Sequence, residues 1–139
     1  MTQQIERQLI EPSVLMQVCQ TMMQNGEAGQ ALELMRMGFE RMADTQRPDI
    51  GHNLSVMLLN QDRPRQAGIY LREVLRMQAA RYSSWLHLAF SEIMCGNQDG
   101  ARKSLEFAQH FKPSNPAASD TFLNETLSSR LSMSKTSNI

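Results

Sequence analysis

The stretch WLHLAFSEIMCGNQDGARKSLEFAQHFKP, residues 85–113, decides the fold. Trp85 and Leu88 stand three apart and small Ala89 follows, so one face of a first helix is apolar and admits a close neighbour. Gly96 is the expected stop, because glycine alone enters the left-handed C-cap conformation without a Cβ penalty. Ala101, Leu105 and Ala108 then form an i, i+4, i+7 stripe on a second helix, and Pro113 cannot continue it. Trp85 is expected to be a large core residue of the pair.

The same chemistry returns upstream. Leu15, Val18, Cys19, Gly26, Ala31, Met35 and Gly38 copy the pattern once, and Leu54, Ser55, Leu58, Ala67, Leu71 and Val74 copy it again. The small residues Ala31, Ala67 and Ala101 recur after 36 and then 34 residues. Ser13 is a plausible N-cap after Pro12, and Asp62 another ahead of Pro64. Two positions depart from the pattern. Gly51 stands where Trp85 stands in the later unit, which predicts an under-packed or frayed helix mouth. Pro48 falls five residues later than the closing proline should, which predicts a long exit from the second helix.

A helix–turn–helix unit of about 34 residues with these residue types resembles the tetratricopeptide repeat. The resemblance implies an all-α fold: a right-handed superhelix of three repeats in one domain, residues 1–131. The repeats span about 12–47, 48–81 and 82–115. Three units suffice for a stable stack, since no single pair buries its own face. Ile5, Leu9 and Ile10 predict a short amphipathic helix over residues 2–10. Phe122, Leu123, Leu127 and Leu131 predict a capping helix over 117–131, with residues 132–139 a polar, unstructured tail.

Composition excludes several function classes. Hydrophobic residues are 41% and charged residues 20% of 139, a globular balance. Fourteen basic and fourteen acidic residues cancel, so no broad field would recruit nucleic acid or anionic lipid. No apolar run has the length of a membrane span, and residues 1–7 lack the basic and apolar regions of a signal peptide. Cys19 and Cys95 fall on separate predicted helices without metal-like spacing, so both are expected as reduced thiols in or near the core, in the cytoplasm.

No catalytic pattern stands out, and neither a cofactor nor a metal site is expected. His52, His87 and His110 have no second ligand at helical spacing and are expected to be exposed or groove-side. No glycine-rich phosphate loop or calcium loop is present. Arg63, Arg65, Arg72, Arg76 and Arg81, interleaved by Glu73, read as a solvated helix face.

The resemblance assigns a groove to the first helix of each unit. Its lining would be Met16, Gln20, Met23 and Gln24, then His52, Val56, Leu59 and Asn60, then Leu86, Phe90, Ile93 and Met94. Family members that grip acidic chaperone tails carry lysine and asparagine at such positions. No lysine stands here, so a carboxylate clamp is not expected. An apolar, methionine-dotted face suits an apolar segment of a protein partner, since methionine adapts to irregular surfaces. Small three-repeat proteins of this kind resemble the translocator chaperones of bacterial type III secretion, which are cytoplasmic, lack ATPase activity, often dimerise and hold hydrophobic export substrates. Two alternatives stand beside that reading: a structural subunit self-associating through the same face, and an RNA-binding helical repeat, which neutral charge disfavours.

Overall fold

A computed structural model describes residues 11–137. The helix expected over residues 2–10 lies outside them, as do residues 138–139. Among the described residues the chain forms seven helices and no strand: α1 Pro12–Gln24, α2 Ala28–Arg41, α3 Arg47–Asn60, α4 Pro64–Met77, α5 Tyr82–Met94, α6 Gln98–His110 and α7 Ala118–Ser137. Each helix from α1 to α6 packs on the next, and α7 packs on both α5 and α6. The first helices also touch one another, α1 on α3, α3 on α5 and α5 on α7. They make an inner row, with α2, α4 and α6 outside it.

One corner recurs in all three hairpins. Gly26 and Gly96 take φ of 80° and 81°, and Asp62 takes φ of 58° at the equivalent place. At each corner the following amide, Glu27, Arg63 or Asn97, donates back to the carbonyl of Met22, Leu58 or Glu92 at 2.8–2.9 Å. The left-handed residue itself donates to Met23, Leu59 or Ile93 at 3.0–3.1 Å. These are the two bonds of a Schellman stop, which satisfy carbonyls the helix end would leave bare. Asp62 is therefore not an N-cap: it is the turn residue, and α4 starts behind Arg63 with Pro64 in its first turn. Ser13 does not cap α1 either. Glu11 precedes the helix and Pro12 opens it, where a missing N–H costs little.

Small side chains let the hairpins close. Ala31, Ala67 and Ala101 are fully buried, as are Ser55 and Ala89. A Cβ on Gly38 would run into Leu15, and a Cβ on Gly51 would meet Val74 Cγ2 at 2.5 Å and Phe39 Cε2 at 2.7 Å. In the first repeat the large residue thus sits on the first helix and the glycine on the second; in the second repeat the order is reversed. Gly51 is accordingly buried and tightly packed, not the loose mouth its lack of a side chain suggested. Pro48 also has a different role. α2 ends at Arg41, and Pro48 lies in the first turn of α3, after a five-residue link over 42–46.

The core runs in two main clusters. Leu15, Met35, Phe39, Ile50, Leu54 and Leu58 fill the first two repeats. Tyr82, Leu86, Ala89, Ala101, Ala108, Leu127 and Leu131 join the third repeat to α7. Trp85 is only half-buried: it packs against the edge of this second cluster, stacks on Phe107 and donates to the Ala79 carbonyl at 2.7 Å. α7 continues to Ser137, so residues 132–137 are helical where a loose tail was expected. Cys19 is buried, but Cys95 is exposed at the end of α5 instead of near the core.

Candidate functional site

The inner row carries two features. Between α1 and α3 lies a cavity of about 540 Å³. From α1 it is lined by Met16, Gln20, Met23 and Gln24; from α3 by Asn53, Val56, Met57 and Asn60; Cys19 and Met35 form its back. No charged side chain is among them. The lining combines thioethers, which adapt in shape, with four amides that can donate or accept. Asn53 Nδ2 donates to Met16 Sδ at 3.2 Å and to the Asp49 carbonyl at 2.8 Å, which holds one rim in place. The Cys19 thiol donates to the Ala31 carbonyl at 3.6 Å, and burial pushes its pKa up to about 11. It is a protonated packing thiol, poorly suited to nucleophilic work.

Beside the cavity a polar ladder crosses α3, α5 and α7. His52 Nδ1 lies 2.8 Å from Ser84 Oγ, and Ser84 Oγ also accepts from Arg81 Nε at 3.3 Å. Arg81 in turn reaches Asp49 at 2.8 Å. His87 Nδ1 donates to the Ser83 carbonyl at 2.7 Å, which fixes its tautomer. Ser83 Oγ donates to Asp120 Oδ1 of α7 at 2.8 Å and lies 3.5 Å from His52 Nε2. Serine, histidine and aspartate meet here, yet the serine stands between the other two. A hydrolytic triad needs the histidine in that place, oriented by the acid. Burial lowers the His52 pKa to about 3, helped by the neighbouring His87 and Arg81 and opposed by Asp49. Burial lowers His87 as well, against the Ser83 carbonyl and Asp120. Both rings are held neutral and link the helices as partly buried groups.

Of the twelve expected lining residues, the cavity gathers Met16, Gln20, Met23, Gln24, Val56 and Asn60. The remainder are placed otherwise. His52 belongs to the ladder. Leu59 is buried in the core of the first two repeats. Leu86 has no exposure at all, and a ligand cannot touch it. Phe90 and Ile93 are half-buried against the cluster that α7 completes, while Met94 stands exposed at the helix end. The capping helix thus fills the third repeat's share of the face. Asn53 and Met57 were missed as lining residues. With Val56 and Asn60 they form an i, i+3, i+4, i+7 stripe, a signal legible once the inner face of α3 is fixed.

The arrangement is the fold of tetratricopeptide-repeat domains. No protein-family profile matches the chain, and no curated protein matches its sequence. Solved structures do. One is the first TPR of Spaghetti (RPAP3) bound to HSP90 peptide SRMEEVD, at a TM-score of 0.67 and 15% identity over 88% of this chain and 96% of that one. Another is PilF of Pseudomonas aeruginosa, at a TM-score of 0.65 and 18% identity, covering 88% of this chain and 54% of that one, so this chain spans about half its length. Among the described residues no helix is long and apolar enough to cross a membrane.

Proposed function

We propose that the chain is a non-enzymatic protein-interaction module that holds an apolar segment of a partner polypeptide between α1 and α3. The observation that carries this reading is the uncharged cavity of about 540 Å³ on the inner row, walled by Met16, Met23, Val56 and Met57. A structural neighbour is bound to a peptide, which supports a polypeptide as the ligand class. That peptide is acidic, and nothing cationic lines the cavity here, so apolar anchors replace charge. Each fully desolvated anchor contributes roughly 1.5–3 kcal/mol. Association and ordering offset much of the gross gain, and the surplus from several anchors corresponds to micromolar binding, about −8 kcal/mol.

Within this reading, the resemblance to secretion translocator chaperones supplies a specific cargo: an extended hydrophobic stretch of an export substrate, held in the cytoplasm. Titration calorimetry against a panel of apolar peptides tests the groove. Met23→Lys and Val56→Lys are expected to abolish binding while helicity and melting stay near wild type. If both variants bind the same peptides with unchanged Kd, the groove is not the site. Sedimentation across a concentration series separates partner binding from self-association, because a structural homo-oligomer would cover this face without any peptide.

A further inference from the structure

The outer surface carries a charge pattern that the groove does not use. Residues 63–77 hold Arg63, Arg65, Arg72 and Arg76 against a single carboxylate, Glu73, in a chain whose formal charge is zero. Glu73 pairs with Arg76 at 3.5 Å. Arg72 and, on α6, Lys103 are exposed and have no ion-pair partner among the described residues. The two cations lie on one hollow of about 400 Å³ formed by α4, α5 and α6. Its apolar wall is a stacked pair: Trp85 and Phe107, with ring centroids 4.7 Å apart and planes at 17°. Phe107 remains 52% exposed.

One acid lies in the wall of the hollow. Glu92 is buried, and Ser104 Oγ donates to its carboxylate. That carboxylate is tucked so close to Gly100 that no Cβ would fit there. Gly100 belongs to the first turn of α6, where its own amide donates to the Asn97 side chain at 3.0 Å. With Arg76 paired to Glu73, Arg72 and Lys103 still outnumber Glu92 on the hollow by one charge.

We propose that this outer face of α4 and α6 is a second docking surface, for an acidic segment of a protein partner that seats one aromatic or aliphatic side chain on the Trp85–Phe107 stack. Charge complementarity selects the occupant: unpaired cations around an aromatic shelf attract carboxylates and reject a basic segment. A nucleic acid is the less suited ligand, since two unpaired cations release few counterions. This surface is separate from the cavity between α1 and α3 and does not depend on its occupancy.

Trp85 is the chain's single tryptophan, so its emission reports the site directly. The probe is a peptide of four glutamates around one phenylalanine, titrated beside a lysine counterpart and a short single-stranded DNA. The expected result is a saturable Trp85 emission change with the acidic peptide alone. Arg72→Glu and Lys103→Glu, both on exposed side chains, should each weaken binding by about tenfold, and added salt should weaken it as well. Phe107→Ala should remove it, and Met23→Lys in the other cavity should leave it unchanged. Absence of a saturable change, an equal response to the lysine peptide, tighter binding of the DNA, or loss of binding in Met23→Lys would each overturn the proposal.

Discussion

His52 and His87 meet edge to face, with ring centroids 4.9 Å apart and planes at 85°. They come from different repeats, and both rings are partly buried and held by serines. Two neutral imidazoles tolerate this contact; two imidazolium ions do not. The joint between the second and third repeats is therefore built for neutral histidine.

Acid should loosen it in a defined window. His52 is lowered from 6.5 to about 3 in the folded chain, so below pH 6.5 the unfolded chain binds the proton and the folded chain does not. Stability is fully present above that pH and falls by about 1.4 kcal/mol per pH unit as the pH drops toward 3. His87 shifts in the same direction and adds to the loss. Urea midpoints at pH 7 and pH 4.5 measure the effect. His52→Asn should shrink the difference between them, and an unchanged difference would rule out His52 as its source.

Gly51→Ala offers a test of packing against propensity. Alanine is the better helix former by about 1 kcal/mol. Its methyl would nevertheless strike Val74 and Phe39, so a net destabilisation of about 1–3 kcal/mol is expected. Val74→Ala should recover part of that loss in the double variant, giving a favourable coupling in a double-mutant cycle. Additive effects would mean that the two sites do not share the space.

Asp62 holds φ of 58° where its two counterparts are glycines. The left-handed region costs an ordinary residue roughly 1 kcal/mol. Asp62→Gly should therefore raise the melting temperature by a few degrees, the entropy of the added glycine offsetting part of the gain. Asp62→Val should lower it clearly, because a branched side chain fits that conformation worst.

The two thiols should separate cleanly. Cys95 is exposed and should react at once with a disulfide reagent in native buffer, whereas buried, protonated Cys19 should react only on unfolding. One fast and one slow equivalent is the expected trace. Two fast equivalents would place Cys19 at the surface.

Much of this fold is legible in the residues themselves. Ala31, Ala67 and Ala101 mark where helices nest, and Gly26 and Gly96 mark where they turn. What escaped has a common cause, since a residue's partner across the hairpin is not visible along the chain. Gly51 looks like a defect until Val74 and Phe39 are seen to occupy its side-chain space. Asp62 before Pro64 imitates an N-cap, and only the register with the two glycines identifies it as a corner. Leu86 stands at the groove position that Met16 holds in the first repeat, but Leu127 and Leu131 join its cluster and it is fully buried. The histidine ladder was invisible for the same reason. Its members, Asp49, His52, Ser83, Ser84, His87 and Asp120, are ordinary polar residues until three first helices bring them side by side.

The shared corner at Gly26, Asp62 and Gly96 has an evolutionary consequence. Every hairpin settles its own main-chain dipoles at the same point of its cycle, so recombination breakpoints placed there strand no amide and no carbonyl. An array built this way can gain or shed a whole module by unequal exchange, and the only new surface that must be matched is the side-chain seam between neighbours.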